Sequence, residues 1–313
     1  LWRGEFYLLI AQAQAAQGLY EDALASTTSA MEIYQVLQFQ SQIAQTYIVM
    51  GDIAELSGEL NDASLAYSQA LYIYQQLESV SGLIEVKLRQ ARIAIKQGSF
   101  SFADTLIEEI IELDSEGIVS LALLDVQTLY AAQIGDYGTA LEGYEVLISS
   151  TEDARKRARF IRSRADIYTA QGRYGLAQEA YLQAFDTFET LNDWREQVLS
   201  LQAIGKLYSV QGRFTLAGDN FRRAIELIPE GAQTALRPDI MRALGQTLLR
   251  QGLPAQAITI FEQALSVQTD SVSVQLAIRL DLGQAYVQLG EDSLALQNFH
   301  EVNETASFIG DDG

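Results

Sequence analysis

Eight glycines punctuate the chain at near-constant intervals. Gly18, Gly58, Gly98, Gly135, Gly172, Gly212, Gly252 and Gly290 are separated by 40, 40, 37, 37, 40, 40 and 38 residues. A period in this range marks a stacked array of one supersecondary unit, because each copy can bury its apolar face only against its neighbours. The register extends well beyond the glycines. An alanine stands five residues after each of them, at Ala23, Ala63, Ala103, Ala140, Ala177, Ala217, Ala257 and Ala295. Seven residues before each glycine the side chain is small: Ala11, Gly51, Ala91, Thr128, Ala165, Gly205, Gly245 and Gly283. Nine residues after it comes a large one, Tyr67, Ile107, Tyr144, Tyr181, Phe221, Phe261 or Phe299, with Thr27 the exception.

This pattern predicts two antiparallel helices joined at the glycine, which adopts the left-handed conformation at little steric cost. The small residues let the two backbones approach, and the aromatic is expected to fill the gap between its own pair and the next. Apolar residues recur at helical spacing in 159–171 and 174–188, and no two-residue alternation is sustained anywhere. Three prolines in 313 residues and a hydrophobic share of 48% fit an all-helical, well-packed chain.

The order of small residue, glycine, bulky residue, alanine, aromatic and small residue resembles the tetratricopeptide repeat. The fifth and sixth copies carry it most fully, through Ala165, Tyr168, Gly172, Tyr174, Ala177, Tyr181 and Ala184, and through Gly205, Tyr208, Gly212, Phe214, Ala217, Phe221, Ala224 and Pro229. The copies exceed the family's usual length, as in the extended subclass that includes kinesin light chains. The resemblance implies an all-α fold, a right-handed α-α superhelical solenoid of antiparallel helix pairs. It would form a single domain over 1–313, with repeats at approximately 1–38, 39–78, 79–115, 116–150, 151–191, 192–230, 231–268 and 269–310. It also implies a concave groove lined by the first helix of each pair, where a peptide or protein partner would lie.

A stripe at thirteen, ten, six and two residues before each glycine shares one helical face and marks the expected groove lining. On or beside it stand Arg89, Arg92, Lys96, Arg155, Arg159, Arg162, Lys206, Arg242 and Arg250. A chain of net charge −20 thus places many of its few bases on one side, which suits a partner rich in carboxylates. The competing expectation is that these bases pair with acids of the same or the adjacent repeat. No asparagine stands six residues before any of the glycines, so the carboxylate clamp and the asparagine ladder of the family are both missing.

The acidity argues against a nucleic-acid partner, and no apolar run is long enough for membrane insertion. Residues 1–152 carry 21 acids against 5 bases, so the first half is the more acidic. Zero cysteines exclude thiol chemistry. His300, the only histidine, has no second soft ligand, and the acidic cluster Glu108, Glu109, Glu112, Asp114 and Glu116 lacks the spacing of a calcium loop. No enzymatic activity, cofactor or metal is therefore expected. The reading is a soluble scaffold or adaptor, with a cytoplasmic place slightly favoured over export and a fragment of a longer chain compatible with it. Its alternative is the sensory segment of a larger regulator that binds a small molecule or signal peptide. Phe308, Ile309 and Gly310 suggest an apolar end and self-association through terminal repeats.

Overall fold

The computed structural model describes residues 2–114, 117, 120–232, 236–267 and 272–311, and all regular structure among them is α-helical. Among the described residues sixteen helices pack in successive pairs. The pairs are α1 (Trp2–Ala16) with α2 (Tyr20–Val36), α3 (Gln40–Ser57) with α4 (Leu60–Gln76), α5 (Val80–Lys96) with α6 (Phe100–Leu113), and α7 (Ser120–Ile134) with α8 (Tyr137–Ser150). They continue with α9 (Ala154–Ala170) and α10 (Tyr174–Thr190), α11 (Trp194–Val210) and α12 (Phe214–Leu227), α13 (Leu236–Arg250) and α14 (Pro254–Ser266), and α15 (Val272–Leu289) and α16 (Asp292–Asp311). Contacts divide the chain into two compact units, Leu1–Glu152 with Gly231–Gln233, and Asp153–Glu230 with Thr234–Gly313. Within each unit, second helices pack onto the first helix of the following pair, as in α2 on α3 and α10 on α11. The side chains of Phe308 and Ile309, and the whole of Glu116, lie outside the described residues.

All eight register glycines have positive φ, from 72° to 100°. Gly58 shows why. With its φ at 100°, the Gly58 and Glu59 N–H groups both reach the Ala54 carbonyl, at 3.1 and 2.9 Å, and the end of α3 is satisfied. A second left-handed turn follows some of the second helices, and no glycine marks it. Gln38, Glu78 and Asn192 take φ of 56°, 51° and 52°, while the next residue's N–H bonds back to Tyr34, Tyr74 or Phe188. Asparagine tolerates that conformation, whereas Gln and Glu carry a Cβ penalty there. Gln38→Gly and Glu78→Gly are therefore expected to stabilise the protein by about 0.5–1 kcal/mol each in urea titration. A loss of stability in both would show that their side chains, not their backbones, hold the turn.

The eight register alanines are 0–2% exposed, so no larger side chain fits at any copy. The aromatics sit differently from the sequence expectation. A Cβ on Gly51 would lie 2.4 Å from Tyr67, one on Gly205 2.6 Å from Phe221, one on Gly245 2.4 Å from Phe261 and one on Gly283 2.5 Å from Phe299. Each ring thus docks on the small residue of its own pair, not in the gap to the next. That gap is filled from further along the second helix, by Met31 and Tyr34 against Ile43, and by Tyr74 against Gly82 and Val86. The reason is helical phase: seven residues separate positions nine and sixteen after the glycine, and two turns bring both to nearly the same face but to different levels along it.

Candidate functional site

The first helices are joined by a ladder of ion pairs that runs from one repeat to the next. In the first unit Arg89 of α5 meets Asp52 of α3 at 2.9 Å and Glu85 at 3.2 Å, while Lys96 meets Glu55 at 2.6 Å. Arg92 reaches forward to Asp125 of α7 at 2.6 Å. In the second unit Arg155 and Arg159 of α9 reach Asp193, which caps α11, and Glu196 of α11 at 3.2 and 2.6 Å, and Arg162 also pairs with Glu196. Arg242 of α13 and Asp281 of α15 are 2.5 Å apart, and the Gln246 amide donates to the same carboxylate at 2.8 Å. Seven of the nine predicted bases therefore spend their charge between adjacent repeats.

The least exposed carboxylate of the ladder is Glu196. Glu196 is only 5% exposed, and the Arg162 guanidinium lies over the Phe188 ring at 5.6 Å. Burial alone would raise the Glu196 carboxyl, but Arg162 and then Arg159 outweigh it and hold the group below its ordinary value. Pairing with acids of the adjacent repeat was one of the two sequence expectations, but Glu196 itself went unnoticed because it falls outside the four-offset stripe. A signal was present nonetheless: Arg159 and Glu196 are 37 residues apart, one repeat length.

Lys206 and Arg250 make no ion pair among the described residues. Lys206 borders a cavity of about 310 Å³ formed by α9, α10 and α11. Arg162, Asp166, Thr169, Tyr181 and Gln202 make its polar side, and Leu199, Leu207 and Val210 contribute apolar wall. The Tyr181 hydroxyl donates to Asp166 at 2.5 Å. Desolvation by the surrounding walls raises the Asp166 carboxyl above its ordinary value, although its side chain still reaches solvent; the Tyr181 hydrogen bond, Arg162 and Lys206 act against the rise. Burial likewise raises Asp239 of α13, against the pull of Lys206 and Arg242. Lys206 is thus an exposed ammonium flanked by two carboxylates that ionise less readily than usual. Of the acidic cluster, Glu109 is taken by Lys87 at 2.5 Å, and His300 is an exposed residue of α16. No helix among the described residues is long and apolar enough to cross a membrane.

Comparison with known proteins agrees with this architecture. Two tetratricopeptide repeat models match residues 197–270 and 242–301. A Rap protein crystallised with competence and sporulation factor is similar in structure, with TM-score 0.62 and 17% identity, covering 87% of this chain and 78% of that one. The tetratricopeptide repeat sensor protein PH0952 of Pyrococcus horikoshii, a signal transduction ATPase with numerous domains, gives TM-score 0.58 and 12% identity over 93% of this chain and 52% of that one. A kinesin light chain-like repeat protein of Podospora anserina gives 0.52 and 16% over 61% and 96%. No curated protein matches the sequence. Residues 197–301 thus match tetratricopeptide repeats, and the same residue register and helix pairing recur through the other described repeats of the chain.

Proposed function

We propose that the chain is an interaction module that holds a peptide or protein segment along the first helices of its second unit, with a carboxylate of the partner meeting Lys206. The observation that supports this is the state of Lys206: alone among the bases lining the cavity, it has no ion-pair partner among the described residues. The apolar wall beside it would accept a neighbouring aliphatic side chain, and Gln202 offers an amide to a bound backbone. Seven of the other predicted groove bases are held by acids of their own chain and Arg250 does not line the cavity, so the carboxylate preference there narrows to one position, not a broad basic stripe.

Panning the chain against a displayed library of random peptides tests the reading. Enrichment of peptides that carry an acidic residue beside an aliphatic one is expected at low salt, with binding weakening as salt screens the contact. Lys206 is exposed, so Lys206→Glu should leave the fold within about 0.5 kcal/mol of the parent and reduce capture about tenfold or more. Peptides that bind the variant equally well, or enrichment without acidic residues, would sink the proposal. Reversing Arg159 and Arg162 is the poorer test, because it would also break the Glu196 rung.

A second reading, a sensory segment within a larger regulator, draws support from the sensor protein of Pyrococcus horikoshii, of whose chain the likeness spans about half. In that case the same cavity would take the signal, and the full gene would encode an effector domain. A gene that encodes none would remove this reading.

A further inference from the structure

Asp239 of α13 is a half-buried carboxylate that makes neither a hydrogen bond nor an ion pair among the described residues. Arg242, three residues on along the same helix, is spent on Asp281. Lys206 lies on α11, which packs against α13, and its charge acts on Asp239, yet the two do not meet as an ion pair. A partly desolvated charge left without a partner is costly, and on a face where most charges are paired it needs a reason. Asp239 stands in the first turn of α13, where the helix dipole favours a negative charge. A fully exposed acid would serve that purpose equally, so the dipole does not account for the burial.

The charges around the cavity balance. Arg159 and Arg162 carry one positive charge more than Glu196 neutralises, Lys206 adds a second, and the ionised Asp166 and Asp239 offset the two. A partner that brought only a carboxylate to Lys206 would engage the one ammonium that offsets these acids, and its own charge would then stand beside theirs. Like charges so placed repel, and solvent screens them weakly where the site is partly desolvated. An occupant that also brings a base removes the conflict. Asp166 is the less suited to receive it, because its carboxylate already accepts from the Tyr181 hydroxyl. Asp239 is engaged by no donor among the described residues.

We propose, on the footing of a partner carboxylate at Lys206, that the same segment carries a lysine or arginine close to that acid, and that Asp239 receives this base. The partner is then locally of both signs, not simply acidic. Occupation leaves the cavity as neutral as it was empty, and each of the two groups that the fold leaves unpaired gains a counter-ion. Asp239 thereby acts as a specificity residue: it rejects segments that are acidic throughout and accepts those in which a base accompanies the acid.

Fluorescence anisotropy of labelled synthetic peptides with the full chain at low salt is the test. The probes are short Gly/Ser peptides that carry Glu-Leu alone, or Glu-Leu with a Lys placed at successive distances from the Glu on either side. At its best position the Lys should tighten binding about threefold to fivefold over the Glu-only peptide. Asp239→Asn should erase that gain while holding the Glu-only peptide at least as tightly as wild type does, because a repelling charge is gone. Asp239→Glu should keep the gain, and Asp239→Lys should transfer it to the peptide with a second Glu in place of the Lys. A Glu-only peptide that needs Lys206 but gains nothing from Lys at any position overturns the proposal and leaves capture at Lys206 standing. A gain that survives Asp239→Asn, or that vanishes with Asp166→Asn instead, overturns it as well. If no peptide binds, or Lys206→Glu leaves all binding unchanged, the carboxylate reading falls and takes this one with it.

Discussion

Phe261→Ala is expected to destabilise the second unit by about 3–5 kcal/mol, because the ring is fully buried and its loss leaves a cavity at the contact between α13 and α14. Its seat is Gly245, where even one added carbon would stand 2.4 Å from the ring. Gly245→Leu alone should therefore be destabilising by about 1–3 kcal/mol through overpacking, despite the roughly 1 kcal/mol of helix propensity that replacing glycine recovers. The informative protein is the double variant. Leucine at 245 would occupy the space the ring vacates, so the combined cost should fall at least about 1 kcal/mol short of the sum. Urea unfolding followed by circular dichroism measures all three, with hydrogen exchange of the α13 and α14 amides to show where the unit opens, since repeat arrays unravel in parts. Strict additivity would mean that ring and glycine do not share one packing site.

The second large effect lies at Glu196. Glu196→Gln keeps the shape but removes the charge that holds Arg159 and Arg162, and a loss of about 3 kcal/mol is expected at neutral pH because Arg162 is left largely buried without its counter-ion. The pH dependence has a fixed sign. The folded carboxyl lies below its ordinary value, so its contribution is fully present above the unfolded value of about 4.3 and is lost as pH falls through the folded one. The stability gap between wild type and Glu196→Gln should accordingly stay constant from pH 7 to about 5 and close in more acidic solution. A gap that did not narrow below pH 4 would show that the rung acts through shape and not through charge.

Much of the fold was legible because the repeat amplifies weak signals. A single glycine followed by an alanine says little, whereas the same spacing eight times over identifies a turn, a close approach and a buried methyl at each copy. The turns at Gln38 and Glu78 escaped that reading, since their left-handed backbone is imposed by the packing of two consecutive pairs and has no residue type to announce it. Lys206 and the arginines were found as members of one face, yet the sequence could not say which of them remain unpaired. That depends on which acid from the neighbouring first helix arrives within reach, and Asp52, Glu196 and Asp281 come from about one repeat away.

By itself, then, the sequence determined the unit and its register: where each helix pair turns, which alanine lies beneath its partner, and that a large side chain must follow at a set distance. These are local steric demands, repeated, and local sequence can state them. Tertiary structure decided what each large side chain touches and what each charge does. The aromatics turned inward onto their own pair, most of the bases were spent between repeats, and Lys206 kept its charge for solvent. Those outcomes turn on helical phase and on ångström-scale distances between separate helices, which a one-dimensional pattern does not contain.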